Sequence, residues 1–190
     1  MATKVRKIKK AKKKWYPVTA PQFFKEQPIG EIPAVNISDL LGRKVSINLM
    51  SMTRDFKHQD ITLKFDINSV SGNMASASIV GYKVSPSSIK RLIRRKSDRI
   101  DVRVPIKTKD NKEAILKAIV VTLNNTFCSV RTKILKAAEK HFIEECNKLT
   151  IVELVNSLTT NRFQKDIKSK LNKIYPIRFV IVRDISLVTK

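Results

Sequence analysis

Hydrophobic and polar residues alternate along several short stretches in the first two thirds of the chain. Successive side chains of a β-strand point to opposite faces, so apolar residues at every second position predict strands that are buried on one face. In one such stretch, Ile61, Leu63 and Phe65 are predicted to face inward. The predicted strands cover residues 44–50, 60–67, 74–84 and 99–107.

Three details refine this pattern. The alternation over 74–84 slips in phase, which indicates a bulge near Gly81. Pro105 has no N–H group, which predicts that the strand at 99–107 lies at a sheet edge. Residues 113–124 include a segment that is apolar on both faces, as is typical of a central strand.

Helical periodicity replaces the alternation after about residue 130. Apolar residues from Ile134 to Ile143 recur on one stripe of a predicted helix. Thr150 and Glu153 have the spacing of a capping box, and Asn161 can cap a later helix. The predicted helices cover 130–148, 150–158 and 162–174, and a final β-rich stretch covers 177–188.

These elements predict an α+β fold, because a run of strands precedes a run of helices. The short strands favour a mainly antiparallel curved sheet or a partly closed β-barrel with packed helices. A chain of 190 residues corresponds to one domain with appendages, or at most two small domains.

Charge adds the first indication of function. The chain carries 39 Lys and Arg residues against 16 Asp and Glu residues, a formal net charge of +23. Such an excess repels itself in a compact protein unless a polyanion neutralises it, and nucleic acid is the usual polyanion. Many of the basic residues precede Glu26, the first acidic residue, but the excess continues through the rest of the chain. We therefore expect a nucleic-acid partner.

The charge distribution also predicts the domain organisation. Residues 1–14 are predicted to be a disordered basic arm, because like charges at this density repel one another. Residues 15–190 are predicted to form a single α+β RNA-binding domain. Its β-rich part covers 29–124, its helical part 130–174 and its closing strand 177–188.

Aromatic residues crowd the junction between arm and domain, where Trp15, Tyr16, Phe23 and Phe24 lie close together. Aromatic side chains beside basic residues can stack on unpaired bases. They can instead pin the arm onto the domain core, which is the favoured role. The sequence leaves both roles open.

Residues 85–96 predict a basic helix between two strands. The pair Ser85–Pro86 suits a helix start, and Ile89, Leu92 and Ile93 form one stripe that is predicted to be buried. Arginine forks match phosphate oxygens, so the remaining face is expected to contact phosphate. The basic residues on that face or just past its end are Lys90, Arg91, Arg94, Arg95, Lys96 and Arg99.

No catalytic or metal site is predicted. His58 and His141 are the two histidines, and neither belongs to a pair with metal-ligand spacing. His141, Glu145 and Cys146 could imitate a reactive cluster, but an ion pair on the helix surface beside a half-buried cysteine explains the spacing better. A nuclease would need clustered carboxylates for metal. We expect a protein that is not an enzyme, with no cofactor, no small-molecule substrate and no membrane partner.

Several segments, in order along nearly the whole chain, resemble a ribosomal family shared by archaea and eukaryotes. This is the small-subunit family called S-three-A-e, or e-S-one. The segments that carry the resemblance are KWYPVTAPQF at 14–23, LGR at 41–43, LIRRKSDRID at 92–101 and IYPIR at 174–178. The absence of a long tail after Lys190 leads us to expect an archaeal-type member.

The resemblance implies a structural constituent of the small ribosomal subunit that supports translation in the cytoplasm. It implies binding to rRNA on the platform near the mRNA exit, with neighbouring small-subunit proteins and mRNA as further partners. Lys14, Trp15, Arg43, Arg94, Arg95 and Arg99 match family positions. The full set of predicted RNA-binding residues is Lys9, Lys10, Lys12, Lys13, Lys14, Trp15, Arg43, Lys90, Arg91, Arg94, Arg95, Lys96, Arg99, Arg131 and Lys133.

Other functions stay open at this stage. The chain could be an RNA-binding factor that associates transiently in initiation or assembly. A metal-dependent nuclease or RNA-modifying enzyme, and a membrane-surface or chromatin protein that uses the basic arm, are weaker alternatives. The segment 124–129 departs from the densely basic sequence that family members tend to have there.

Overall fold

The computed structural model describes residues 12–21, 24, 27–72 and 74–187. Lys9, Lys10 and most of the predicted arm lie outside the described residues, as does Phe23. The chain divides into two units. The first comprises Met1–Lys44 and Asp66–Ser78, and the second comprises Val45–Phe65 and Ile79–Lys190.

Every strand that the alternation predicts is present among the described residues, and the strands at 74–84 and 99–107 have the predicted bounds. Two further strands near the amino terminus, at 14–19 and 28–34, are not predicted from the sequence; in the second of them, two prolines interrupt the alternation. The strands are β1 (Lys14–Thr19), β2 (Pro28–Ala34), β3 (Lys44–Asn48), β4 (Ile61–Ser71), β5 (Met74–Val84), β6 (Arg99–Lys107), β7 (Glu113–Thr122) and β8 (Ile177–Leu187).

The helices follow the predicted order, and a further short helix interrupts the first half. Two 3-10 helices at Ile37–Leu40 and Phe56–His58 connect strands. The described α-helices are α1 (Leu49–Thr53), α2 (Pro86–Leu92), α3 (Cys128–Cys146), α4 (Ile151–Thr159) and α5 (Arg162–Leu171). The predicted α+β class is confirmed, with the eight described strands in a mixed sheet that does not close into a barrel.

In the first unit, β1 pairs antiparallel with β2 and makes a short parallel contact with the start of β5. Tyr16 and Val18 are buried while Trp15 is 65% exposed, because neighbouring side chains of a strand face opposite sides. Thr19 closes the parallel contact, since its hydroxyl donates to the carbonyl of Ala75 at 3.2 Å.

In the second unit, β7 lies between β6 and β8 and pairs antiparallel with both. This is the central position that its apolar sequence predicts. Strand β6 pairs with β7 alone among the described strands, as Pro105 predicts for an edge strand. The burial pattern of β5 changes phase where the sequence indicates, since Gly81 and Tyr82 are both buried.

Three helices of the second unit bury their apolar stripes. In α3, Ile134, Ala138 and Phe142 are fully buried, whereas Ile143 is 39% exposed. The Phe142 ring meets the ring of Phe163 on α5, with centroids 6.0 Å apart. The predicted capping box of α4 is present at Thr150 and Glu153.

Local details differ from the sequence predictions. Leu49 begins α1 instead of ending a strand, because the side chain of Asn48 accepts a hydrogen bond from the N–H of Met50 and caps the helix. Asn161 stands at the start of α5 with a left-handed φ of 57° and makes no capping hydrogen bond. That helix ends at Leu171, three residues before the predicted end.

The buried aromatic contact between α3 and α5 predicts a strong effect on stability. Phe142→Ala should lower the free energy of unfolding by about 3–5 kcal/mol, because it removes a fully buried ring and leaves a cavity. Chemical denaturation monitored by circular dichroism measures the change. Ile143→Ala, one residue along the same helix and partly exposed, should cost less than about 1.5 kcal/mol. Equal losses in the two variants would contradict this packing.

Candidate nucleic-acid interface

Six predicted RNA-binding residues lie together between β5 and β6, and we call this surface the basic turn. Its helical part is shorter than predicted, since α2 ends at Leu92 and Ile93 is extended. Ile89 is buried as predicted, but Leu92 is 40% exposed. A short helix that buries one side chain has little tertiary packing to stabilise further helical turns. The basic turn consists of Lys90 and Arg91 on α2, Arg94, Arg95 and Lys96 in the turn, and Arg99 at the start of β6.

Hydrogen bonds fix the helical end of the basic turn. The N–H of Ser85 donates to the carbonyl of Asp60 at 2.8 Å. The predicted side-chain cap is absent, because the hydroxyl of Ser85 lies 2.7 Å from the hydroxyl of Ser87 instead. Lys90 and Arg91 occupy the last turn of α2, where cations interact favourably with the helix dipole.

Asp98 holds the other end of the basic turn. Its carboxylate accepts hydrogen bonds from the backbone N–H of Thr126 at 2.6 Å and from the hydroxyl of Thr126 at 2.9 Å. These two bonds lower the pKa of Asp98, and the charge of Arg131 lowers it further. The N–H of Asp98 also donates to the hydroxyl of Thr122, a fully buried polar residue at the end of β7. The segment 124–129 is therefore joined to the basic turn.

The same contacts bring Arg131 beside the basic turn. Arg131 and Lys133 are exposed on the first two turns of α3. Cations are unfavourable near a helix amino terminus, and the Asp98 carboxylate offsets this cost for Arg131. The contact between Asp98 and Thr126 was not predicted from the sequence, because the two residues are 28 positions apart in the chain. The one available signal was Thr126 itself, whose hydroxyl lies in a loop just before a helix and could form a capping or bridging hydrogen bond.

Most cations of the basic turn are not neutralised. Arg91 lies 3.5 Å from the carboxylate of Asp60, and Arg99 lies 2.8 Å from that of Asp101. Among the described residues, no carboxylate lies within 4.0 Å of the four other cations. These exposed and unpaired residues are Lys90, Arg94, Arg95 and Lys96.

A second basic surface lies on the first unit, and we call it the amino-terminal patch. It consists of Lys12, Lys13, Lys14, Trp15 and Arg43, all of them exposed. Trp15 is directly opposite Pro33 in the pairing of β1 with β2. The guanidinium of Arg43 donates to the carbonyl of Pro33 at 3.1 Å, which ties this cation to the residue that pairs with Trp15. The structure thus leaves Trp15 accessible and assigns core packing to Tyr16.

The residues that could imitate a reactive cluster have structural roles. Cys146 is fully buried, which raises the pKa of its thiol to about 12 and leaves it protonated at neutral pH. Glu145 binds Lys170 at 2.7 Å and Lys148 at 3.2 Å. His141 faces Glu144 instead, with its Nδ1 atom 3.5 Å from the carboxylate. The predicted pairing of His141 with Glu145 is therefore wrong, since Glu145 binds two lysines, and the cysteine is more deeply buried than predicted.

The described residues contain neither a metal-binding cluster nor a membrane-spanning helix. No group of three or more His, Cys, Asp or Glu side chains is arranged to hold a metal ion in the part of the chain that the structure describes. Within the same part, none of the helices combines the length and apolar character needed to span a bilayer.

The described residues thus expose two clusters of cations, the basic turn and the amino-terminal patch, on an α+β fold. Comparison with known proteins gives the family: the chain belongs to the Ribosomal S3Ae family, whose family model matches residues 2–190. The predicted family is thereby confirmed. This is a family of ribosomal proteins and not of enzymes, which also confirms the prediction that the protein is not an enzyme.

Archaeal proteins are among the relatives. The chain is 32% identical over 168 residues to small ribosomal subunit protein eS1 of Methanothermobacter thermautotrophicus, which covers 88% of this chain and 86% of the relative. It is 32% identical over 177 residues to the protein of the same name from Sulfolobus acidocaldarius, covering 93% and 90%. The Picrophilus torridus protein of that name is 29% identical over 177 residues, covering 93% and 85%.

The Asp98 contacts predict a pH-dependent stability. A carboxylate with a lowered pKa stabilises the fold above its ordinary pKa of about 4, and this contribution is lost as the pH falls through the folded-state value. Asp98→Asn should therefore lower the melting temperature at pH 7 and have little effect at pH 2. Thermal unfolding at the two pH values measures this difference. Thr126→Val, which keeps the backbone donor, should show a smaller effect of the same kind; a pH-independent loss for Asp98→Asn would contradict the assignment.

Proposed function

We propose that this protein is a constituent of the small ribosomal subunit that binds rRNA on the platform, near the mRNA exit, and supports translation. Membership of the Ribosomal S3Ae family makes it a ribosomal protein. Its relatives are named as small-subunit proteins, which supports the assignment to that subunit. The platform location comes from the family resemblance of the sequence.

The observation that carries the rRNA contact is the basic turn. Lys90, Arg94, Arg95 and Lys96 are exposed and have no acidic partner among the described residues. Unpaired cations on a surface held by Asp98 and α2 can meet phosphates without first breaking an ion pair. Arginine also offers two parallel donors to phosphate oxygens, so such contacts position a protein on RNA without reading its sequence.

The amino-terminal patch supports a second kind of contact. Trp15 is 65% exposed on β1 and directly follows the exposed Lys12, Lys13 and Lys14 in the chain. An accessible indole next to cations is suited to stack on an unpaired base while the cations bind the flanking phosphates. Arg131 and Lys133 extend the proposed rRNA contacts on the second unit, and we assign Lys9 and Lys10 to the same contact on charge alone.

The proposed partners are small-subunit rRNA, neighbouring small-subunit proteins and mRNA near the exit, in the cytoplasmic ribosome. Co-sedimentation tests the assignment to the particle. We expect stoichiometric recovery with small subunits and release only at high salt, because phosphate contacts weaken as salt rises. Substoichiometric, growth-phase-dependent recovery would indicate a transient initiation or assembly factor and would contradict the proposal. A cross-linking profile of the intact particle identifies the rRNA segment.

Removal of positive charge from the basic turn is predicted to weaken rRNA binding. Arg94→Gln with Arg95→Gln should weaken binding to small-subunit rRNA by about tenfold or more at moderate salt, because two arginine–phosphate contacts are lost. Filter binding over a salt series measures the loss. The control is Arg162→Gln with Lys165→Gln, which removes the same charge from exposed positions on α5. An equal loss in both double variants would show a response to net charge and would contradict a specific contact.

Trp15 is the single tryptophan of the chain, so its fluorescence reports on the amino-terminal patch. Addition of rRNA should quench this emission and protect it from acrylamide, because a stacked base covers the indole. Heparin, a polyanion without bases, should bind without comparable quenching. If rRNA binds, as judged by filter retention, and the emission stays unchanged, the stacking role of Trp15 is wrong.

A further inference from the structure

A second group of cations lies on the strands of the second unit, apart from the residues predicted to bind RNA. Arg103 on β6, Lys117 on β7 and Arg183 on β8 line one shallow depression of about 220 Å³, together with Asp101. None of these three cations belongs to the basic turn. All of them stand on strands of the same antiparallel ladder.

Strand register brings the three cations together. Arg103 lies directly opposite Lys117 in the pairing of β6 with β7. Lys117 pairs with Asp184 and Ala118 with Val182, so Arg183 is an extra residue in β8. Such a bulge changes the direction in which a side chain points. Arg183 and Asp184 are therefore two successive residues outside the core, between the buried Val182 and Ile185, and Arg183 lines the depression.

This arrangement is unfavourable for the isolated protein. Like charges directly opposite in an antiparallel pair destabilise a sheet. One acidic side chain partly offsets the repulsion, since Asp184 lies 3.1 Å from the Nζ atom of Lys117. Asp184 is also opposite Lys83 on β5, so it is surrounded by cations.

Two arginines of the depression, Arg103 and Arg183, have no carboxylate partner among the described residues. Asp101 lies 2.8 Å from Arg99 and is thus already paired. Among the described residues, no carboxylate lies within 4.0 Å of Arg103 or Arg183. Two guanidinium groups without a paired carboxylate therefore line one small depression, where an anion from outside would reduce their repulsion.

We propose that Arg103 and Arg183 bind a phosphodiester group of RNA in this depression, with Lys117 held beside it by Asp184. This inference rests on the proposed function, since it names a second contact for the same partner. Guanidinium groups match phosphate oxygens with paired donors. An acidic protein segment is disfavoured, because protein contacts depend on apolar or aromatic anchors and the apolar residues lining the depression are the buried Val102 and Ala118.

Small-subunit rRNA binding tests the proposal. Arg103→Gln with Arg183→Gln should weaken binding by about tenfold and reduce the slope of log K against log salt by about 1–2. The melting temperature of the free double variant should be unchanged or higher, because a repulsion has been removed. The matched control is Lys107→Gln with Lys112→Gln, exposed cations at the other end of the same hairpin.

The outcomes separate this inference from the proposed function. If the unaltered protein fails to bind rRNA, the proposed function is wrong. If it binds and the Arg103/Arg183 variant keeps both its affinity and its salt slope, the phosphate site is wrong. Loss of affinity together with a lowered melting temperature would assign the arginines to structure and overturn the site. Unchanged rRNA binding with failure to retain neighbouring ribosomal proteins would assign the depression to an acidic protein segment, which also overturns it.

Discussion

The antiparallel ladder in which β7 pairs with β6 on one side and β8 on the other is the interaction on which both cationic surfaces of the second unit depend. Its register places Leu116 and Val120 in the core. The same register sets Arg103 opposite Lys117 on the other face. At the end of β7, the buried hydroxyl of Thr122 accepts the N–H of Asp98. One hydrogen-bonded ladder thus builds a core and also orders the cations outside it.

The few acidic residues of the chain are largely engaged in internal contacts. Asp98 accepts two hydrogen bonds from Thr126, and Glu145 joins α3 to α5 through Lys170. Because carboxylates occupied in this way are not free to neutralise other cations, the basic excess appears at the surface unpaired. Which cations stay unpaired at the surface therefore depends on where the acids lie, whereas the size of the excess depends on how many there are. A polyanion is the partner that such a surface fits.

At the amino terminus, strand alternation places one side chain in the core and its neighbour on the surface. Tyr16 and Val18 hold β1 in the core of the first unit, so Trp15, which directly precedes Tyr16, faces the other side. The guanidinium of Arg43 binds the carbonyl of Pro33, the residue opposite Trp15 in the strand pairing. The packing of one residue therefore exposes its neighbour, and an aromatic residue that adds little to the core becomes available to a partner.

The sequence by itself determined the strands β3 to β8, the three long helices, the basic excess and the family resemblance. These follow from local periodicity and from residue identity. Only the tertiary structure decided that α2 stops at Leu92, that Asp98 binds Thr126 and that Arg183 joins Arg103 through a bulge. Each of these depends on residues far apart in the chain. Their proximity is set by the pairing of strands, and neither alternation nor charge along the sequence contains that register.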